Sequence, residues 1–358
     1  MAEQATPETI RRYLVDNVEA HPGDIASIAT FHFGLSRQTI NRYLRELVTE
    51  GLLAAKGNTK ARTYELCVLA EHDITLPVNK DLHEDLAWRE HVWPYCKEMA
   101  ENVVDICNHG VTEIINNVVD HSGSEQMIIS VKRTGSRIRM RIIDQGIGIF
   151  DKIQKDFGLT DPRHALLELC KGKLTSDETK HTGEGIFFTS RMFDEFSILS
   201  GTLYFLRKNK ADDWMIESED RARFDGTSVV MRIAASATHT VKDIFERHAS
   251  ERENLGFTRT HIPIQLALYE GEKLVSRSQA RRLLVRFERF KEVFLDFKGV
   301  ESVGQAFTDE VFRVYAIQNP GTHIAWINAT DEVRRMILRT TQGMAPDDRA
   351  ISERDPNS

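Results

Sequence analysis

Residues 113–122 read EIINNVVDHS. A helix turns about 100° per residue, so positions three, four, seven and eight apart share a face. On that spacing Glu113, Asn117, Asp120 and His121 line one face, and Ile114, Ile115, Val118 and Val119 line the other. The aliphatic face needs a core to pack on. The polar face does not fit ordinary solvated surface. Surface helices favour Lys, Glu and Gln, whereas Asn, Asp and β-branched residues are poor helix formers. Something other than helix propensity selects these side chains, and the flanking sequence says what.

Downstream lie several glycine-bearing turns. MIISVKRTGSRIRMRIID, residues 127–144, alternates apolar and polar positions around a Thr-Gly-Ser turn and reads as two strands. The second strand runs into Asp144-Gln145-Gly146-Ile147-Gly148. His181-Thr182-Gly183-Glu184-Gly185 reads as a loop leading into a helix, and FDGTSVVMRI as a strand led by Gly226-Thr227. Upstream, DLHEDLAWREHVWPYCKEM is helical in pattern, with Pro94 marking a kink or boundary. Residues 71–79 read as a linker before it.

Singly these pieces are weak, because DxGxG and GxG occur by chance. In this order and on these elements they make residues 81–235 similar to the Bergerat-fold ATPases: gyrase B, histidine kinases, mismatch-repair ATPases and anti-sigma-factor serine kinases. The resemblance implies an α/β sandwich that binds ATP with Mg2+, and it gives the polar helix face a purpose. Mg2+ is a hard ion that takes oxygen ligands, and by the family's pattern the carbonyl of Asn117 supplies one. Glu113, one turn earlier, matches the general base that orients an attacking water or hydroxyl. Asp120 and His121 fall where the family has residues near the nucleotide, and Asn116 lies off this face. Asp144 is matched to the carboxylate that accepts from the adenine amino group, where guanine presents a carbonyl. Gly146 and Gly148 allow close backbone approach. Gly183 and Gly185 bring amides to the phosphates at a helix N-terminus, and Thr227 supports the adenine pocket. Residues 157–180 are expected to form a mobile lid, with Lys171, Lys173 and Lys180 in reach of phosphate. Gly172-Lys173 is not a phosphate loop of the Walker type, because Leu174 stands where Ser or Thr is required. No His-Glu-Leu-Arg phosphoacceptor motif precedes the domain, so a phosphorelay is a minor reading. Binding without hydrolysis is the more serious alternative.

The first seventy residues read as three helices and a hairpin. Thr6-Pro7, Asp24 and Ser36 are candidate helix starts, Gly34 and Gly51 are stops, and LLAAKGNTKARTYEL turns at Gly57-Asn58. Residues 1–70 therefore resemble a winged helix-turn-helix, in which the third helix enters the major groove of double-stranded DNA. The resemblance assigns base contacts to Arg37, Gln38, Thr39, Asn41 and Arg42, and phosphate contacts to Lys56, Lys60 and Arg62. Eight basic residues in this segment face eight acidic ones, but the basic ones gather in the third helix and wing. Protein binding or dimerisation is the bland alternative. A winged helix reading two half-sites does so as a homodimer.

Beyond a charged connector helix, residues 256–342 alternate strand and helix, as in an α/β layer domain. VFLDFKGVESVGQAFTDEVFRVY resembles the core of STAS-like domains, the class of the anti-sigma-factor antagonists. The phosphorylated Asp-Ser-Ser run of those antagonists appears here as Gly304-Gln305-Ala306, so the acceptor position lacks a hydroxyl; Ser302 and Thr308 stand nearby out of register. A docking domain for a protein partner is the expected role. Residues 343–358 are polar and read as disordered.

The 358 residues carry 41% hydrophobic and 28% charged side chains and a net charge of −7, which fits a multidomain α+β and α/β protein without a general coat of basic residues. No run of eighteen apolar residues marks a membrane span. Four cysteines without CxxC spacing argue against disulfides and for the cytoplasm. Cys107 and His109 form no zinc pattern, having no second pair. The expected function is an ATP-binding, ATP-hydrolysing regulator that couples nucleotide state to DNA or partner binding. A serine/threonine protein kinase of the anti-sigma-factor style and the ATPase of a defence module are the alternatives.

Overall fold

Thr6 accepts from the Thr9 amide and Thr9 answers from its own side chain, a capping box that starts α1 (Pro7–Asn17). α2 (Ile25–Phe33) ends at Gly34 in the left-handed conformation, and Asp24 makes no side-chain cap. Ser36 caps α3 (Arg37–Thr49), accepting from Thr39 N at 3.1 Å. A two-stranded antiparallel hairpin, β1 (Leu53–Lys56) with β2 (Thr63–Leu66), follows. Ile10, Leu14, Ile40, Leu44, Leu47 and Leu53 recur at helical spacing and form a small core separate from the rest of the molecule. The computed structural model describes residues 5–58, 61–159, 161–173, 184–209, 214–217, 223–248, 258–267, 273–342 and 351–353.

Next comes β3 (Val68–Pro77), in the stretch expected to be a linker. It pairs along its length with β4 and forms the edge of a seven-stranded sheet. Its residues alternate between half-buried Ile74 and Leu76 and exposed Glu71, Asp73 and Thr75. An edge strand is kept polar, which is why composition alone reads it as linker. The central domain therefore begins before residue 81.

After β3 come α4 (Glu84–His91), α5 (Trp93–Cys96) and α6 (Glu101–Asn117). Strands β4 (Gln126–Thr134) and β5 (Arg137–Asp144) then form a hairpin. Helices α7 (Ile149–Asp156), α8 (Pro162–Lys171) and α9 (Gly185–Met192) follow. β6 (Glu195–Gly201), β7 (Leu203–Lys208), β8 (Trp214–Glu217) and β9 (Phe224–Ala234) complete the sheet, and α10 (Val241–His248) leaves it. The strand order is β3-β4-β5-β9-β6-β7-β8, with every pair antiparallel. Period-two alternation sends Ile138, Met140 and Ile142 of β5 into the core and Arg137, Arg139 and Arg141 to the other face. α6 packs against β5 and β9 on the apolar side. Its approach depends on Gly110, where a Cβ would stand 2.5 Å from the Phe193 ring and 3.0 Å from Met231 Sδ.

The third unit is a parallel sheet, β10-β11-β12-β13. β10 (Arg259–Pro263), α11 (Arg277–Leu284) and β11 (Glu292–Asp296) lead to a helix built of α12 (Gln305–Asp309), a π-helical stretch (Glu310–Tyr315) and α13 (Ala316–Gln318). β12 (His323–Ile327) and the Thr330-capped α14 (Asp331–Thr341) follow. β13 (Ile351–Glu353) lies in the tail expected to be disordered. It adds to the open edge of β12, pairing Ile324 with Ile351 through Trp326 with Glu353. A three-residue strand is too short to show a periodicity. The apolar core of this unit is continuous with that of the central one.

Candidate nucleotide site

The polar face of α6 does turn inward along the edge of the core. Ile114, Ile115 and Val118 are buried, while Glu113 and Asn117 are half-buried. Asn117 Nδ2 donates to the Glu113 carbonyl at 2.7 Å. That bond fixes the carboxamide, because only its nitrogen can donate. The carboxamide oxygen, the atom a hard cation takes, faces away from that carbonyl.

Beyond Asn117 the helix changes pitch. Val118–Ser122 is π-helical and ends at Gly123 in the left-handed conformation. Asp120 and His121 are exposed on this turn, displaced from the 3.6-residue face that aligned them with Glu113. Single π turns recur at functional sites, and no α-periodic reading reveals one. Ser122 Oγ donates to Val118 O at 2.7 Å, and the Ser122 carbonyl accepts from Ile147 N at 2.9 Å. The end of α6 is thereby joined to the loop after β5.

Asp144 closes β5 opposite Thr227 of β9 and is 4% exposed. Its Oδ1 accepts from Gly146 N at 2.9 Å, and Thr227 donates to it from both backbone and hydroxyl. Burial raises the Asp144 pKa above its usual 3.8, and these donors oppose the shift. The Thr227 hydroxyl oxygen also accepts from Ile149 N at 3.0 Å, which ties β9 to the start of α7. Protein atoms crowd the glycines here. A Cβ on Gly146 would lie 2.1 Å from the Ser122 carbonyl oxygen, and one on Gly148, at φ 85°, 2.7 Å from Ser200 Oγ. Gly226, at φ 91°, sits with its Cβ position 2.1 Å from the Asp144 carbonyl oxygen. Sequence reading named Gly226 only as the residue before Thr227. Ser122, Ser124 and Ser200 hold this loop through side-chain hydrogen bonds that leave no periodic signal in the sequence.

Gly185 opens α9 against Glu113: a Cβ there would lie 1.9 Å from Glu113 Oε2. The Glu113 carboxylate is thus seated at the N-terminus of a helix, where the macrodipole favours an anion. Gly183 and Lys180 lie outside the described residues.

Both described lysines of residues 157–180 make contacts outside the central domain. Residues 157–180 were expected to be a mobile lid, but α8 falls within them as a packed helix, with Ala165, Leu166, Leu167, Leu169 and Cys170 buried. Lys171 is fully buried and donates to Glu168 and to the Val285 carbonyl, so it does not serve phosphate. The Lys173 ammonium donates to the Arg289 carbonyl of the C-terminal unit at 3.0 Å. The physical reason is an interface between units that a sequence pattern does not disclose.

Elsewhere, Arg37, Gln38 and Arg42 of α3 are exposed, and Thr39 and Asn41 half-buried. The Thr39 hydroxyl is 2.9 Å from Ser36 Oγ, within the cap. Arg42 lies 3.7 Å from Glu46, and Lys56 pairs with Glu65 at 2.7 Å on the hairpin. Arg62 is exposed, and Lys60 lies outside the described residues. Cys107 is buried, with its thiol pKa pushed well up by burial. Burial lowers the His109 pKa, and its ring meets Phe245 edge-on. Thr308 is fully buried and hydrogen-bonded to Gly304 O, Gln305 O and Thr340, so it is not an accessible phosphate acceptor. Ser302 and Ala306 are half-buried.

Comparison with known families places two of the three units. Residues 87–204 match the family described as histidine kinase-like ATPase domain. Residues 279–334 match the STAS-like domain of unknown function (DUF4325). A search of curated proteins gives no match. The chain thus joins a histidine kinase-like ATPase domain to a STAS-like domain in a mixed α/β architecture. No helix among the described residues is long and apolar enough to cross a membrane.

Proposed function

We propose that the chain is an Mg-ATP-binding, ATP-hydrolysing regulator whose N-terminal unit, a winged helix, binds double-stranded DNA. The observation that carries the nucleotide reading is the pairing of two preset groups on one ATPase domain. The Asn117 carboxamide donates its nitrogen to the Glu113 carbonyl, which keeps its oxygen for a ligand, and the buried Asp144 carboxylate is held by Gly146 and Thr227. These residues fit the ligand: Asn117 offers a neutral oxygen to Mg2+, and Asp144 an acceptor to an amino group. Mg2+ supplies charge neutralisation of the phosphates when bound. Glu113, at the head of α9, orients the attacking water. The DNA reading rests on α3, whose exposed Arg37, Gln38 and Arg42 have the side chains that read base edges. The STAS-like domain receives or transmits the nucleotide state to a protein partner, and the assembly is a homodimer in the cytoplasm.

A serine/threonine kinase is the second reading, favoured by the presence of a STAS-like domain beside a kinase-like ATPase domain. Thr308 is buried and so is not its acceptor, which leaves the half-buried Ser302 or a hydroxyl of another protein. The deciding experiment follows the γ-phosphate of labelled ATP, with Asp144→Asn as the binding control. Release of inorganic phosphate, lost in the control, supports the switch; label retained on protein supports the kinase; no nucleotide binding sinks both. DNA binding is tested by Arg42→Ala, expected to cost about 1–3 kcal/mol of affinity. Equal affinity with and without Mg-ATP would end the coupling claim.

A further inference from the structure

Arg137, Arg139 and Arg141 of β5 lie on the face of the seven-stranded sheet opposite its core. The strand register builds one row of charges across that face. Glu71 stands opposite Lys132, Lys132 opposite Arg139, Arg139 opposite Arg232, and Arg232 opposite Glu195. Neighbouring strands lie about 5 Å apart, and like charges directly opposite each other destabilise a sheet. The two ends of the row are compensated and its centre is not. Lys132 pairs with Glu71 at 3.1 Å, and Arg232 pairs with Glu195, which Lys208 also approaches at 3.7 Å. Arg139 makes no ion pair and no hydrogen bond among the described residues, and its Nε is buried without a partner. Burial lowers its pKa, the guanidiniums of Arg232 and Arg141 lower it further, and Glu195 opposes them. Arg141, two residues on, donates from Nε to Ser228 Oγ at 3.0 Å and has no carboxylate partner among the described residues.

A half-buried guanidinium between two other cations is costly, and an oxyanion removes the cost, because the planar fork of Arg matches phosphate oxygens. A concavity of about 190 Å3 opens among these side chains, lined by Ser130, Lys132, Arg139 and Arg141, with Glu71 and Asp73 of the edge strand at its side. Small-molecule pockets begin at about 300 Å3, so this one takes a single group of a longer molecule. Further cations recur on either side, Arg137 along β5 and Arg232 across it. Charges repeated at several points suit a polyanion. The N-terminal unit sits where this row of arginines begins. Glu19 of that unit pairs with Arg137, and Gly135, just before β5, rests against Val15 and Leu52.

We propose that Arg139 and Arg141 hold backbone phosphates of the double-stranded DNA that the N-terminal unit engages, so that the sheet of the ATPase domain is a second DNA contact. Phosphate contacts fix register and orientation and carry no sequence information. The sheet face thus sets how the duplex lies against the ATPase domain, and α3 reads the bases. DNA as the polyanion rests on the winged-helix reading above; the demand of Arg139 for an oxyanion does not.

The test uses the full chain without nucleotide, a labelled duplex of mixed sequence, and fluorescence anisotropy between about 50 and 200 mM salt. Wild type is compared with Arg139→Gln, Arg141→Gln, Arg139→Lys and Arg42→Ala. Each glutamine variant is expected to lower the slope of log affinity against log salt by about 0.9, the loss of one phosphate contact, and Arg139→Lys to keep the slope. Arg139→Gln is also expected to melt no lower than wild type, since it relieves opposed like charges. A fall of several degrees would make Arg139 a structural cation and overturn the site. A slope unchanged in Arg139→Gln but lowered in Arg42→Ala overturns the sheet contact and leaves the winged-helix reading standing. A slope lowered in Arg139→Gln and unchanged in Arg42→Ala keeps the sheet contact and removes α3 from DNA. No duplex binding by the wild type overturns both. Polyglutamate is the competitor. If it displaces the duplex from wild type as well as unlabelled duplex does, the face belongs to an acidic peptide and the DNA assignment fails.

Discussion

The ATPase domain meets its two neighbours in opposite ways. Toward the N-terminal unit the contact is thin and wet. Arg137 pairs with Glu19 at side-chain exposures of 40% and 48%, Ser236 Oγ lies 3.3 Å from Asp16, and Gly135 rests against Val15 and Leu52. The two hydrophobic cores stay separate. Toward the STAS-like domain the contact is dry. Glu168, Lys171 and Arg286 are buried, Thr260 caps a helix carbonyl, and one apolar core runs through both domains. Exposed ion pairs contribute little, whereas removing one member of a buried pair leaves an uncompensated charge. The ATPase and STAS-like domains therefore form one cooperative body, with the N-terminal unit attached as a second.

The sharpest way to break this comparison is Arg286→Met. It strips Glu168 of one partner and is expected to cost about 3–5 kcal/mol. In thermal unfolding the transition shared by the two domains should fall, while that of the N-terminal unit stays put. A single transition for the whole chain would contradict the division.

Mg-ATP should act on the same body. At a hundredfold excess over its Kd it is expected to stabilise the shared transition by about 2.7 kcal/mol, with no shift of the N-terminal one. Asp144→Asn should remove the effect. The pH dependence has two opposite signs. Because burial raises the Asp144 pKa, its contribution to folding is full below 3.8 and is lost as pH rises through the folded value. Nucleotide binding needs the ionised acceptor, so affinity should fall as pH drops through that raised value. Both trends should vanish in Asp144→Asn, measured by calorimetric titration across pH.

Smaller effects sharpen the contrast. Thr260→Val removes the donor to Lys171 O at a fully buried position and is expected to cost about 1–3 kcal/mol. Glu19→Ala, on the wet side, should cost no more than about 1 kcal/mol and lose even that in high salt. If Glu19→Ala proved as damaging as Thr260→Val in denaturant titration, the N-terminal contact would have to be regarded as a structural seam.

The sequence by itself determined the elements with strong local codes. The capped helices α1, α3 and α14, the alternating pair β4 and β5, and the spacing of Glu113 and Asn117 all follow from propensity and periodicity. So does the identity of Asp144 as a carboxylate at the end of a strand. What only the tertiary structure decided are features whose cause lies far along the chain. β3 is a strand because β4 offers it an edge. The π turn after Asn117 takes Asp120 and His121 off the α-helical spacing, and the Ser122 carbonyl at its end is taken by Ile147. Gly146 and Gly226 are required by the carbonyls packed against them. Lys171 and Lys173, which by position look like phosphate ligands, donate to carbonyls of the STAS-like domain more than a hundred residues away. Local codes act over a few residues and leave a period to read. Contacts that close long loops leave none, and in this protein those contacts join the ATPase domain to the STAS-like domain beside it.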